Sequence, residues 1–196
     1  MGNRAVITTK DHDLAVYLHW NGGRDTVEPL LKYCELKGYR APDADCYGWA
    51  RLAQVAGNFF GGSLSVGINR FERLGDQGDN GIYVIDGWKI VAREALCDGF
   101  EEQAEHPFDE MLHALDEAMP EKERLGELLD AEKVPVEELR VGDEVWMRGY
   151  ESLEAWPVAG FKDGRPYVEH YDHDGDWTWN PNNYINGETA FIRKRA

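Results

Sequence analysis

Cysteine is scarce in this chain of 196 residues: Cys34, Cys46 and Cys97 are widely spaced and form no C-x-x-C pair. So few, scattered thiols exclude a disulfide framework or a zinc ribbon and predict free cysteines in a reducing compartment. Long apolar runs are missing too, and none approaches the roughly 20 residues that a membrane-spanning helix needs. The opening MGNRAVITTKDHD has no apolar core and no cleavage-site pattern, so a secretory signal is not expected. Gly2 follows Met1, but Val6 stands where a myristoylation signal needs Ser or Thr. Cationic residues are few: 21 Lys and Arg face 37 Asp and Glu, a net charge of −16. Direct binding to nucleic-acid phosphates, which requires cations to displace counterions, is not expected. A cytoplasmic protein is the expectation.

What is present is an uneven distribution of acid. Residues 100–144 hold 16 acidic and 4 basic side chains, net −12. The flanking stretches 1–99 and 145–196 are each net −2.

The hydrophobic pattern predicts an α+β fold in three parts. Residues 1–99 read as an N-terminal domain with an antiparallel sheet and two helices. RAVITT (4–9) and LAVYLHW (14–20) flank a KDHD turn and predict a hairpin. TVEPLLKYCELKGYR (26–40) has helical spacing, with Pro29 tolerated in a first turn and Gly38 as the stop. Asp43 or Asp45 would cap a second helix bearing Trp49, Leu52, Ala53, Ala56 and Phe60, ended by Gly61-Gly62. SLSVGI (63–68) is strand-like, and Asp86-Gly87 marks a two-residue hairpin between IYVI and WKIVA.

Residues 100–133 read as an acidic helical connector. Phe108, Met111, Leu112 and Leu115 make its apolar stripe, Pro120 breaks it, and Leu125, Leu128 and Leu129 continue it. Residues 134–196 read as a small β domain with turns at Asp163-Gly164 and Asn186-Gly187.

Four constellations carry candidate chemistry. Cys46 falls at a helix N-terminus, where the dipole favours thiolate; His19 is the imidazole named as its base in a catalytic reading. Asn21, Gly22, Gly23 and Arg24 precede a helix and could hold an anion against backbone N–H groups, although no Gly-Lys-Ser/Thr follows. His170, Asp172, His173 and Asp174 could hold a cation, but the spacing matches neither an EF-hand nor a zincin. The paired acids Glu101-Glu102, Asp109-Glu110 and Asp116-Glu117 would form a ridge opposite the apolar stripe, able to imitate phosphates and attract a basic partner. A solvated helix face is the plainer reading of the same acids. No cofactor motif is present and none is expected.

Three resemblances accompany these readings. DCYGWARLAQ resembles the nucleophile segment of NlpC/P60-type hydrolases, which implies a cysteine-dependent hydrolase or transferase. That family's next strand begins with the catalytic His, whereas DNGIYVIDGWKIV has Asp79 there. LRVGDEVWMRG resembles the entry into an SH3-like small barrel. GNRAVIT, VYLHWNGGRDTVEPLLKYC, YGWARLAQVAGNFFGGSLSVGI and DNGIYVIDGWKIV together resemble uncharacterised proteins of prophages and mobile elements, over roughly residues 1–95. That resemblance implies a bacterial host cell as the setting and assigns no catalytic residue. The sequence therefore leans to a non-enzymatic acidic interaction protein whose partner is basic, such as a nucleic-acid-handling host protein.

Overall fold

The computed structural model describes residues 3–74, 78–96, 106–148, 153–169 and 184–196. The chain divides into two compact units, one up to Arg124 and one from Leu125 onward.

The first unit is α+β, built from β1 (Ala5–Thr9), β2 (Leu14–Leu18), α1 (Arg24–Leu36), α2 (Cys46–Phe60), β3 (Val66–Arg70), β4 (Ile82–Asp86), β5 (Lys89–Glu94) and α3 (Phe108–Glu117). The sheet order is β3-β2-β1-β4-β5. The fully antiparallel sheet expected here is corrected to a mixed one. Each hairpin is antiparallel, but β1 and β4 run parallel, with Val6 opposite Ile82 and Thr8 opposite Val84. Two helices and β3 separate the hairpins in the chain, and that length of connection is what a parallel return requires.

Strand alternation gives the sheet two apolar faces. Ile7, Val16, Tyr83 and Ile85 lie on one, each fully buried. Val6, Ala15, Ile82 and Val84 lie on the other, packed with Tyr17, Phe71 and Leu74. Phe71 opens a 3-10 turn, Phe71–Arg73. Buried Val27, Leu30 and Leu31 of α1 and Leu52, Val55 and Ala56 of α2 complete the core. Each such aliphatic side chain stabilises the fold by about 1.5–3 kcal/mol.

Local signals set several boundaries. Asp45 caps α2, its carboxylate accepting the Tyr47 and Gly48 amides at 2.9 and 3.3 Å. Gly48 allows the helix to approach the preceding loop: a Cβ there would lie 2.3 Å from the Ala41 carbonyl carbon. Pro29 stands in the second turn of α1, not the first, because the helix starts at Arg24. The β4–β5 hairpin turns one residue later than expected, at Gly87-Trp88, with Asp86 opposite Lys89. Only Gly87 of that pair has positive φ, as a type II′ turn requires.

α3 belongs to the first unit. It runs parallel to α1: the His106 amide donates to Asp25, Tyr33 meets Asp116, and Lys37 reaches Glu123. Its last turn is followed by Pro120. The 100–133 stretch is therefore not one connector; its described residues are shared between the two units.

The second unit holds β6 (Glu132–Pro135), β7 (Glu144–Arg148), β8 (Leu153–Lys162), β9 (Arg165–Val168) and β10 (Thr189–Lys194), in the order β6-β10-β7-β8-β9. All neighbours are antiparallel. Asp163 and Gly164 both take positive φ between β8 and β9, as their sequence predicts. Leu125, Leu128 and Leu129 form no helix of the α type; Gly126–Asp130 is a 3-10 turn. Val145, Val158, Val168 and Ile192 anchor the core. Among the described residues this sheet is open and closes no barrel. No helix among them is long and apolar enough to cross a membrane.

Candidate functional site

Cys46 is the first residue of α2 and is exposed. His19 follows β2, where its amide donates to Ser65, and Ser65 in turn bonds back to Gly61 at the C-terminal end of α2. Fifteen helical residues span about 21 Å, so the two residues mark opposite ends of α2. The His19 Nδ1 lies 3.0 Å from the Tyr17 hydroxyl and the ring meets Trp20 edge-on. The expected Cys46–His19 pair is corrected on this ground. Sequence proximity of each residue to a helix end could not say which end.

The loop before α1 is built for close packing. A Cβ on Gly22 would fall 2.7 Å from the Ala5 backbone nitrogen. The Gly22 carbonyl accepts the buried Tyr83 hydroxyl at 2.9 Å. Asn21 takes positive φ, which a short amide side chain tolerates. Arg24 turns along the helix to Glu28 at 3.0 Å. A Cβ on Gly23 would come 2.4 Å from Asp25 Oδ1, so a carboxylate already lies at the start of α1. An anionic ligand would meet that charge, and the ligand reading of Asn21, Gly22, Gly23 and Arg24 gives way to a structural one.

The expected metal ligands His170, Asp172, His173 and Asp174 lie outside the described residues, as do Glu101 and Glu102. Among the described residues no group of three His, Cys, Asp or Glu could hold a metal ion.

The acidic ridge is present in reduced form. At 100° per residue, Asp109, Glu110, His113 and Glu117 occupy one arc of α3 of about 100°, and all four are exposed. Met111, Leu112, Leu115 and Met119 are buried on the other side. Asp116 must be removed from the partner-binding set: it is 6% exposed and accepts the Tyr33 hydroxyl at 2.7 Å. Burial first, then this bond to Asp116, push the Tyr33 phenol far above its ordinary range, so it stays a neutral donor. Position 116 follows the apolar Leu112 and Leu115 and precedes Met119, a spacing that marks the edge of the buried arc.

Many acids of the wider stretch are matched internally. Lys37 meets Glu123, Arg193 meets Glu127 and Glu144, and Arg195 meets Glu132 and Asp143. Asp109, Glu110, Glu117 and Glu121 have no cation within ion-pair distance among the described residues. Asp109 and Glu110 stand in the first turn of α3, where the helix dipole welcomes them. Glu117 stands in its last turn, where the dipole opposes a negative charge. The guanidinium of Arg124 donates to the Glu117 and Met119 carbonyls there, not to the Glu117 carboxylate.

No family model, curated protein or solved structure matches the chain.

Proposed function

We propose that the protein is a non-enzymatic acidic interaction protein that binds a basic protein partner through the outer face of α3. The observation that carries the reading is Glu117. It is exposed, and its carboxylate has no ion-pair partner among the described residues, because Arg124 serves the backbone carbonyls there; its charge stands at the helix end where it opposes α3 stability. A helix selected only for stability and solubility would favour Lys or Arg there. With Asp109 and Glu110 it supplies a negative surface on a helix tied to the core by Tyr33 and Asp116, and Glu121 adds to it from the 3-10 turn that follows. Such a surface steers a cationic partner by long-range attraction that salt screens within about 8 Å at physiological ionic strength.

A phage or mobile element in a bacterial cell is the setting this reading takes from the sequence resemblance, with a nucleic-acid-handling host protein as the natural basic partner. The finer fold reading is an SH3-like small barrel in the second unit. Its support is β10 returning beside β7, the strand that follows the turn closed by the Asp143 amide on the Arg140 carbonyl.

The test is capture from a bacterial lysate at low and high salt, with the wild type and an Asp109→Asn, Glu110→Gln, Glu117→Gln variant. Basic proteins should be captured at low salt by the wild type only. Equal capture of the same proteins by the variant refutes the proposal.

A further inference from the structure

We propose that His12 is a pH-sensitive clasp that holds the Phe71–Arg73 turn over the second apolar face of the first sheet and releases it as pH rises. His12 sits at positive φ in the β1–β2 turn. Its Nδ1 lies 3.0 Å from the Lys10 carbonyl oxygen and its Nε2 lies 3.1 Å from Glu94 Oε2 on β5. A carbonyl and a carboxylate only accept hydrogen bonds. Neutral imidazole carries one N–H and can serve one of them; the imidazolium carries two and serves both. The geometry is therefore that of the charged ring. Loss of its proton sets a nitrogen lone pair against an oxygen.

The ring also packs edge-on against Phe71, with centroids 4.6 Å apart, and the Phe71 amide donates to the Asp13 carbonyl at 3.0 Å. Phe71 and Leu74 in turn lie on Val6, Ala15, Ile82 and Val84. One imidazole thus joins the β1–β2 turn, the β5 edge and the cover of an apolar sheet face.

The charges that face the ring are Glu94 from β5 and Asp11 from its own turn. Lys10 is engaged by Asp86, and Glu72 of the Phe71 turn lies 3.9 Å from Arg70. Burial alone would lower the imidazole pKa, but the Lys10 carbonyl, Glu94 and Asp11 together raise it above the ordinary histidine value. With the folded pKa raised, the clasp is complete below the ordinary value and is lost as pH climbs through the raised one.

The test is an NMR titration of the His12 ring together with amide exchange at Phe71 and Leu74, corrected for intrinsic rate. His12 should titrate above about 6.5, the ordinary value. Opening at Phe71 and Leu74 should rise through that midpoint by about tenfold for each unit separating the clasped and free rings. Exchange at Ile7 and Tyr83 should show no such step. Glu94→Gln should lower the midpoint and flatten the rise, and His12→Gln should open equally at every pH. A His12 midpoint at or below the ordinary value, or exchange at Phe71 without a step, overturns the proposal.

Discussion

Tyr33→Phe isolates the bond that fastens the acidic helix to the core. The substitution removes one hydroxyl and keeps the ring, so packing around this fully buried side chain is preserved. The lost bond joins a neutral donor to a carboxylate that is 6% exposed, at 2.7 Å. Hydrogen bonds to charged groups contribute about 1.5–3 kcal/mol, and water has little access here to replace the donor. The expected loss is about 2 kcal/mol. For a unit of this size that lowers the melting temperature by roughly 8 °C. Urea unfolding followed by tryptophan fluorescence should show a lower midpoint with an unchanged slope, because the exposed area is the same. Amide exchange should quicken in α3 before it does in β1. A double-mutant cycle with Asp116→Asn should return a coupling of about 1 kcal/mol or more. A Tyr33→Phe loss under about 0.5 kcal/mol, within the range of ordinary surface substitutions, would refute the claim that this bond docks α3.

Four further outcomes are expected. Asp143 is fully buried and accepts the Arg140 and Ala196 amides and the Arg195 guanidinium; burial raises its pKa, but these donors outweigh burial and hold it below the carboxylate range. Asp143→Asn should destabilise the second unit by about 2 kcal/mol. The difference from wild type should be constant above about pH 5 and shrink as pH falls below about 4, where the depressed carboxyl begins to lose its advantage. Gly48→Ala would gain about 1 kcal/mol in helix propensity, yet its methyl would meet the Ala41 backbone at 2.3 Å; a net loss by thermal melting is expected, and a gain would disprove the close approach. In a Cys97→Ser background, a thiol reagent should label exposed Cys46 in the native protein and Cys34 only after unfolding, because burial closes off Cys34 and pushes its thiol up. Cys46→Ser should leave partner capture unchanged.

Secondary structure was readable where the signal is local. The cap of α2, narrowed to Asp43 or Asp45, the KDHD and Asp163-Gly164 turns and the apolar stripe of α3 each depend on residues within one or two turns of one another. Strand direction did not follow from the same pattern, since alternating residues look alike whether the neighbour runs parallel or antiparallel. β1 could therefore be identified as a strand without revealing β4 beside it.

Charge tells the same story at the site. Composition alone located the acidic stretch, because carboxylates add up wherever the chain carries them. Which of them remain available was a tertiary matter. Asp116 turned inward to Tyr33, and Glu127, Glu132, Asp143 and Glu144 found Arg193 and Arg195 about fifty or more residues along the chain. Cys46 and His19 were each visible as reactive residue types, but reaction needs contact within about 3 Å, and only the fold showed a helix between them. The His12 clasp was equally hidden, since its acceptors come from Lys10, two residues away, and Glu94, eighty-two residues away. Sequence determines which chemical groups a chain possesses and how they alternate locally; distances between remote groups exist only once the chain has packed.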